Sequence, residues 1–186
     1  PGAAASVVWV TGDATLERIA CVDWTNRTAL VDSVQPYFGA LQELAATAGG
    51  GVPPDEPVII AIAELITYLA LAAASAEEWA GRLILYTGDN MNVFQWVESR
   101  GAGNPLARWL LRILGALEAT HAFRTLSAYC RTYHNVTADS LTRDQEAEVS
   151  ELLERHQLTL LDAKPDWAFY LDRDWTKRVL AWQGQH

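Results

Sequence analysis

Lysine is missing from the first 163 residues of this 186-residue chain, whose two copies are Lys164 and Lys177. With 23 acidic residues against 14 basic ones, the formal charge is −9, which argues against a protein that grips nucleic acid on its own by charge. Cysteine is also scarce. Cys21 and Cys130 have no C-x-x-C spacing, which excludes a zinc framework and a disulfide scaffold. Two buried thiols in a reducing, intracellular setting are expected instead. No charged segment followed by an apolar run and a cleavage site opens the sequence, so secretion is not expected. The start at Pro1 without a methionine suggests a segment of a longer polypeptide. One long apolar run, Val58 to Ser75, has about the minimum length for a membrane span, and Glu64 interrupts it. The expectation is a core helix carrying one working carboxylate, with no membrane partner.

What is present is core material. Half the residues are hydrophobic and eight are tryptophan, enough for one sizeable core with most of the tryptophans inside it. Ser6 to Thr11, Arg18 to Trp24 and Ala29 to Tyr37 read as three strands. Their separators are short enough for hairpins, so the strands form an antiparallel meander. A Gly- and Pro-rich loop over Ala46 to Pro57 precedes a helix from about Pro57 to Trp79. Arg82 to Thr87 is an apolar strand expected to be buried on both faces. Asn92 to Arg100 and Leu106 to Thr120 read as helices, Phe123 to Thr132 as a fifth strand, and Val136 to Arg143 as the start of a last helix. This divides the chain into an α/β domain over residues 1–143 and a helical, aromatic-rich extension over 144–186. Trp167, Phe169, Tyr170, Trp175, Val179 and Trp182 suit the extension to packing on the main domain or on a neighbour.

Two strands end alike, in Thr11-Gly12-Asp13 and Thr87-Gly88-Asp89. Carboxylates at the ends of adjacent central strands can converge at one sheet edge, and Glu64 on a covering helix can reach the same point. Gathered carboxylates repel one another unless cations sit among them. Magnesium suits them, because it takes hard oxygen ligands and keeps waters and phosphate oxygens in its shell. Two such ions about 4 Å apart can activate a water and stabilise a departing oxygen in phosphodiester cleavage.

Four blocks, Thr11-Gly12-Asp13-Ala14-Thr15, Ala63-Glu64-Leu65, Thr87-Gly88-Asp89-Asn90 and Asn135-Val136-Thr137-Ala138-Asp139-Ser140-Leu141-Thr142-Arg143, resemble the signature blocks of ribonuclease H domains. The last block is most similar to those of retrotransposon reverse transcriptases, including gypsy-like and tyrosine-recombinase elements. The resemblance spans about Ser6 to Arg143. It implies a ribonuclease H-like fold, a mixed five-stranded sheet of three antiparallel then two parallel strands flanked by helices. It further implies an endonuclease that cuts the RNA strand of RNA/DNA hybrids. Asp13, Glu64, Asp89 and Asp139 would hold two Mg²⁺ ions, with Mn²⁺ as a substitute. His134 is the candidate proton shuttle, although the family's mobile histidine usually stands further upstream, near Tyr129. Asn90, Asn135 and Arg143 are candidates for substrate contact. No lysine-rich handle for the hybrid is found, so an adjacent polymerase domain is the expected partner in binding it. Two other readings stay open: a ribonuclease H-like connector without activity, and a related nuclease acting on DNA.

Overall fold

The computed structural model describes residues 6–34, 56–131 and 134–162. Most of the Gly- and Pro-rich loop, up to residue 55, and the aromatic extension from residue 163 lie outside them. In chain order the elements are β1 (Val7–Ala14), β2 (Arg18–Asp23), β3 (Thr28–Ser33), α1 (Glu56–Ser75), β4 (Leu83–Gly88), α2 (Met91–Ser99), α3 (Pro105–His121), β5 (Arg124–Tyr129), α4 (Val136–Arg143), α5 (Glu146–Arg155) and β6 (Thr159–Leu160).

The strands form one mixed sheet in the order β5-β4-β1-β2-β3-β6. The pairs β1–β2 and β2–β3 are antiparallel, as the short separators predict, and β4, β5 and β6 run parallel to their neighbours. Six strands stand where five were expected. The sixth is two residues long, too short for any periodicity to reveal, and Thr159 and Leu161 donate their amides to the carbonyls of Arg27 and Ala29. The residues after Arg143 therefore add a strand to the sheet as well as a helix.

The termini of the elements follow their sequence signals. Asn90 caps α2 and Asn104 caps α3, each side-chain oxygen accepting two backbone amides that the first helical turn leaves without partners. The β2–β3 hairpin is held by buried Asp23, which accepts from the amides of Thr25 and Asn26, from Asn26 Nδ2, and from the indole Nε1 of Trp79 at 2.9 Å. That last bond ties the hairpin to the turn after α1.

Helices α1, α2 and α3 cover one face of the sheet. α1 is buried nearly all round, packing Leu65, Ile66 and Leu69 against Val8, Val10, Ile84 and Tyr86. Each of these side chains contributes about 1.5–3 kcal/mol by leaving water. The apolar window Val58–Ser75 is 72% buried inside the fold, as a core helix requires. On the opposite face α4 and α5 cover β2 and β3, with Ala20, Val22 and Ala29 against Leu141 and Val149.

That cover does not extend to β4, which was expected to be buried on both faces. Ile84, Tyr86 and Gly88 are buried under the helices, while Leu83, Leu85 and Thr87 on the other side are only half-buried. The tryptophans divide similarly: Trp79 is fully buried but Trp9 is 49% exposed. Of the thiols, Cys21 is buried and Cys130 only partly so.

Candidate metal centre

Strand β1 runs further than its sequence suggests. Gly12 was read as ending it, yet the strand continues through Asp13 to Ala14, paired along β2 as far as Ile19. The glycines have a different reason. A Cβ at Gly12 would stand 3.1 Å from the Tyr86 ring, and one at Gly88 would stand 3.1 Å from its hydroxyl. The phenol of Tyr86 thus lies against both Thr-Gly-Asp segments, and only glycine leaves it that space. Because Thr11 and Thr87 are neighbours in the β1–β4 register, Asp13 and Asp89 leave adjacent parallel strands at the same level.

Glu64 completes the group from α1. One carboxylate oxygen from each of Asp13, Glu64 and Asp89 lies within 4.8 Å of the others. Asp13 and Glu64 are 5% and 4% exposed, so two of the three acids sit out of water. Asn90 Nδ2 reaches Glu64 Oε1 at a long 3.4 Å, and Oε2 is buried with no hydrogen-bond partner. A buried carboxylate oxygen without a donor is costly, and a cation is one way to relieve it.

The electrostatics agree with the geometry. Burial first, then the charges of Asp89 and Asp13, push the Glu64 carboxyl up to about 9, against the pull of the Asn90 amide. Burial likewise raises Asp13 to about 6; the Thr142 hydroxyl, donating to its Oδ2 at 2.7 Å, opposes this, and the charges of Asp89 and Asp139 add to it. Without a cation the cluster resists full ionisation.

The remaining candidates fall around this group. Asp139 is close enough for its charge to act on Asp13, but it is not one of the three gathered acids. Its Oδ1 accepts from Arg143 Nε at 2.6 Å, one turn along α4. Arg143 is thus occupied by Asp139, and this contact is the first cause raising its guanidinium further. His134 is exposed, just before α4. Asn90 serves as helix cap and as the donor to Glu64. Asn135 is buried, and its Nδ2 donates to the Gly12 carbonyl at 2.8 Å, pinning the start of α4 to the end of β1. Sequence reasoning missed Thr142 and Tyr86. The Ala-Asp-Ser-Leu-Thr spacing could have found Thr142, since residues three apart on a helix share a face. Nothing short of the strand register could have found Tyr86.

Comparison with family models, with curated proteins and with solved structures finds no match. The geometry itself shows an α/β domain whose carboxylate triad, two acids from adjacent parallel strands and the third from α1, two of the three buried, could hold a metal ion.

Proposed function

We propose that the chain is a ribonuclease H-like, metal-dependent endonuclease that hydrolyses the RNA strand of RNA/DNA hybrids. The observation that carries this reading is the convergence of Asp13, Glu64 and Asp89 to within 4.8 Å, with Glu64 Oε2 buried and lacking any donor. An all-oxygen donor set of this kind fits Mg²⁺ or Mn²⁺ and gives no soft ligand for zinc or copper. Asp13, Glu64 and Asp89 would hold one ion between them, and Asp139, at the edge of the cluster, would serve a second. Bound there, the metal supplies an activated water and neutralises charge building on the phosphate.

The chain's own residues orient that chemistry. Asn135 fixes the carbonyl preceding Asp13, and Thr142 holds one oxygen of Asp13 so that the other is presented in a fixed direction. Arg143, largely exposed beside Asp139, would be free to meet a phosphate once Asp139 turns to a cation. The order of elements, three antiparallel strands followed by a helix and two parallel strands, supports the same reading. The acidic balance and the lysine-free stretch leave an adjacent polymerase domain, in an intracellular retroelement polyprotein, to grip the hybrid.

A second reading has one observation in its favour. Asp139 is engaged by Arg143 and stands outside the triad, as it would in a ribonuclease H-like connector that no longer cuts. One assay separates the readings. The chain is incubated with Mg²⁺ or Mn²⁺ and a labelled RNA/DNA hybrid, with Asp89→Asn as control. Cutting of the RNA strand that the variant loses supports the hybrid nuclease, no cutting by a chain that binds no metal supports the connector, and cutting of DNA points to a DNA-directed relative.

A further inference from the structure

Among the described residues, nothing covers an apolar patch on the face of the sheet away from α1. Register places Trp9, Leu85 and Leu126 in one row across β1, β4 and β5, with Val7 and Leu83 in the row below. Val7, Trp9 and Leu126 are 50%, 49% and 39% exposed, and both leucines of β4 are half-buried. Parallel strands normally have both faces covered, and β4 and β5 have described cover on one. The outer layer made by α4 and α5 ends at Trp24, which stacks on Trp9 with ring centroids 5.9 Å apart. One further helix beside α5 would complete a helix–sheet–helix sandwich.

We propose that the chain's own residues 163–186 supply that cover, docking on the Trp9–Leu85–Leu126 row. Trp167, Leu171, Trp175, Val179 and Trp182 recur every three or four residues, which gives one apolar stripe if the segment is helical. The starting point is suitable. β6 runs parallel to β3 at the sheet's far edge, so the chain leaves it at Leu161 heading for the sheet end that carries the carboxylates, a little past the level of the row, and has to turn back to lie across it. Four strand spacings, about 19 Å, separate β6 from β4. A four-residue linker spans about 13 Å and a sixteen-residue helix about 24 Å, so the segment reaches the row and can cross it. Residues 35–55 connect instead to α1, on the opposite face. Nucleic acid is a poorer occupant, because beside Trp9 the row is aliphatic, with Val7, Leu83, Leu85 and Leu126, and the chain's net charge is −9. This inference is independent of the nuclease reading.

Hydrogen exchange read by mass spectrometry on the full chain tests it. Amides of 167–182 should exchange about tenfold or more slowly than an unstructured peptide. Leu126→Glu should return them to the unstructured rate while α1 stays protected. A second variant leaves the sheet untouched: Trp175→Glu should raise hydroxyl-radical oxidation of Trp9 and Leu126 severalfold. Unprotected amides in the parent chain overturn the proposal, as does protection that survives Leu126→Glu with Trp9 oxidation unmoved by Trp175→Glu. Protection that appears only with a concentration-dependent dimer mass overturns it too, because the occupant is then a second copy.

Discussion

Replacing Glu64 by glutamine should stabilise the metal-free chain at neutral pH, an unusual direction for a change at a buried position. The carboxyl is pushed up to about 9 in the fold, from an ordinary value of 4.5. At pH 7 the folded chain therefore keeps Glu64 protonated while the unfolded chain ionises it. The folded state binds more protons over that window, so the stability this group contributes is fully present below about pH 4.5 and is lost as pH rises toward 9. At about 1.4 kcal/mol per pH unit, the interval from 4.5 to 7 costs up to about 3 kcal/mol. Glutamine has the shape of the neutral acid and nothing to ionise, so it removes that cost.

Urea unfolding in EDTA reads the difference directly. Glu64→Gln should match the parent near pH 4 and exceed it by up to about 3 kcal/mol at pH 7, roughly 6–12 °C in Tm. Millimolar Mg²⁺ should close most of that gap. Saturating metal to a hundred times its Kd adds about 2.7 kcal/mol to the parent, and the variant gains less because it has lost an anionic ligand. The reasoning is refuted if the glutamine variant is less stable than the parent at pH 7 without metal, or if the parent grows more stable between pH 5 and 8 in EDTA.

Other changes give separable outcomes. Gly12→Ala should cost about 1–3 kcal/mol through the Tyr86 ring, and Tyr86→Phe should recover part of it, since the unpartnered hydroxyl is one of the two nearest atoms; a double-mutant cycle by urea unfolding checks both. Asp23→Ala should destabilise by about 3 kcal/mol or more, leaving the Trp79 indole donor buried without its acceptor, as thermal unfolding would register. Thr142→Val removes the bond that holds Asp13 down, so metal-dependent stabilisation should begin at higher pH than in the parent, followed by Tm in Mg²⁺ from pH 5 to 8. Asp139→Asn should leave tight binding of a first metal nearly intact while lowering hybrid cleavage at least tenfold, separating the triad from the fourth acid in calorimetry and activity.

How much of this was legible depended on what carries each feature. The meander and the apolar helix announce themselves by period and punctuation, and α4 begins where the sequence places it, at Val136, although it stops at Arg143 and α5 follows as a separate helix. The paired Thr-Gly-Asp ends needed only the idea of adjacent strands to bring Asp13 and Asp89 together. By contrast, β6 is fixed by backbone hydrogen bonds to β3 across more than 120 residues, and Thr159-Leu160 has no pattern of its own to signal it. Gly12 was misread because a glycine that breaks a strand and a glycine that admits a neighbouring ring look alike in one dimension.

The same ambiguity governs Asp139. Its helical position predicts both a metal ligand and an i,i+4 partner for Arg143, and without a cation the second is what the chain adopts. An exposed pair of this kind is worth only about 0.3–0.5 kcal/mol. A divalent ion at the edge of the triad would exceed it easily, so the Arg143 contact does not keep Asp139 from serving a metal. Asp139 is also one of the charges raising Asp13, so drawing it toward a cation removes a repulsion at the same time as it adds a ligand. Arg143→Ala consequently tests the arrangement: freeing Asp139 should tighten the second metal in calorimetry while weakening the hybrid in KM, whereas a merely structural ion pair would move neither.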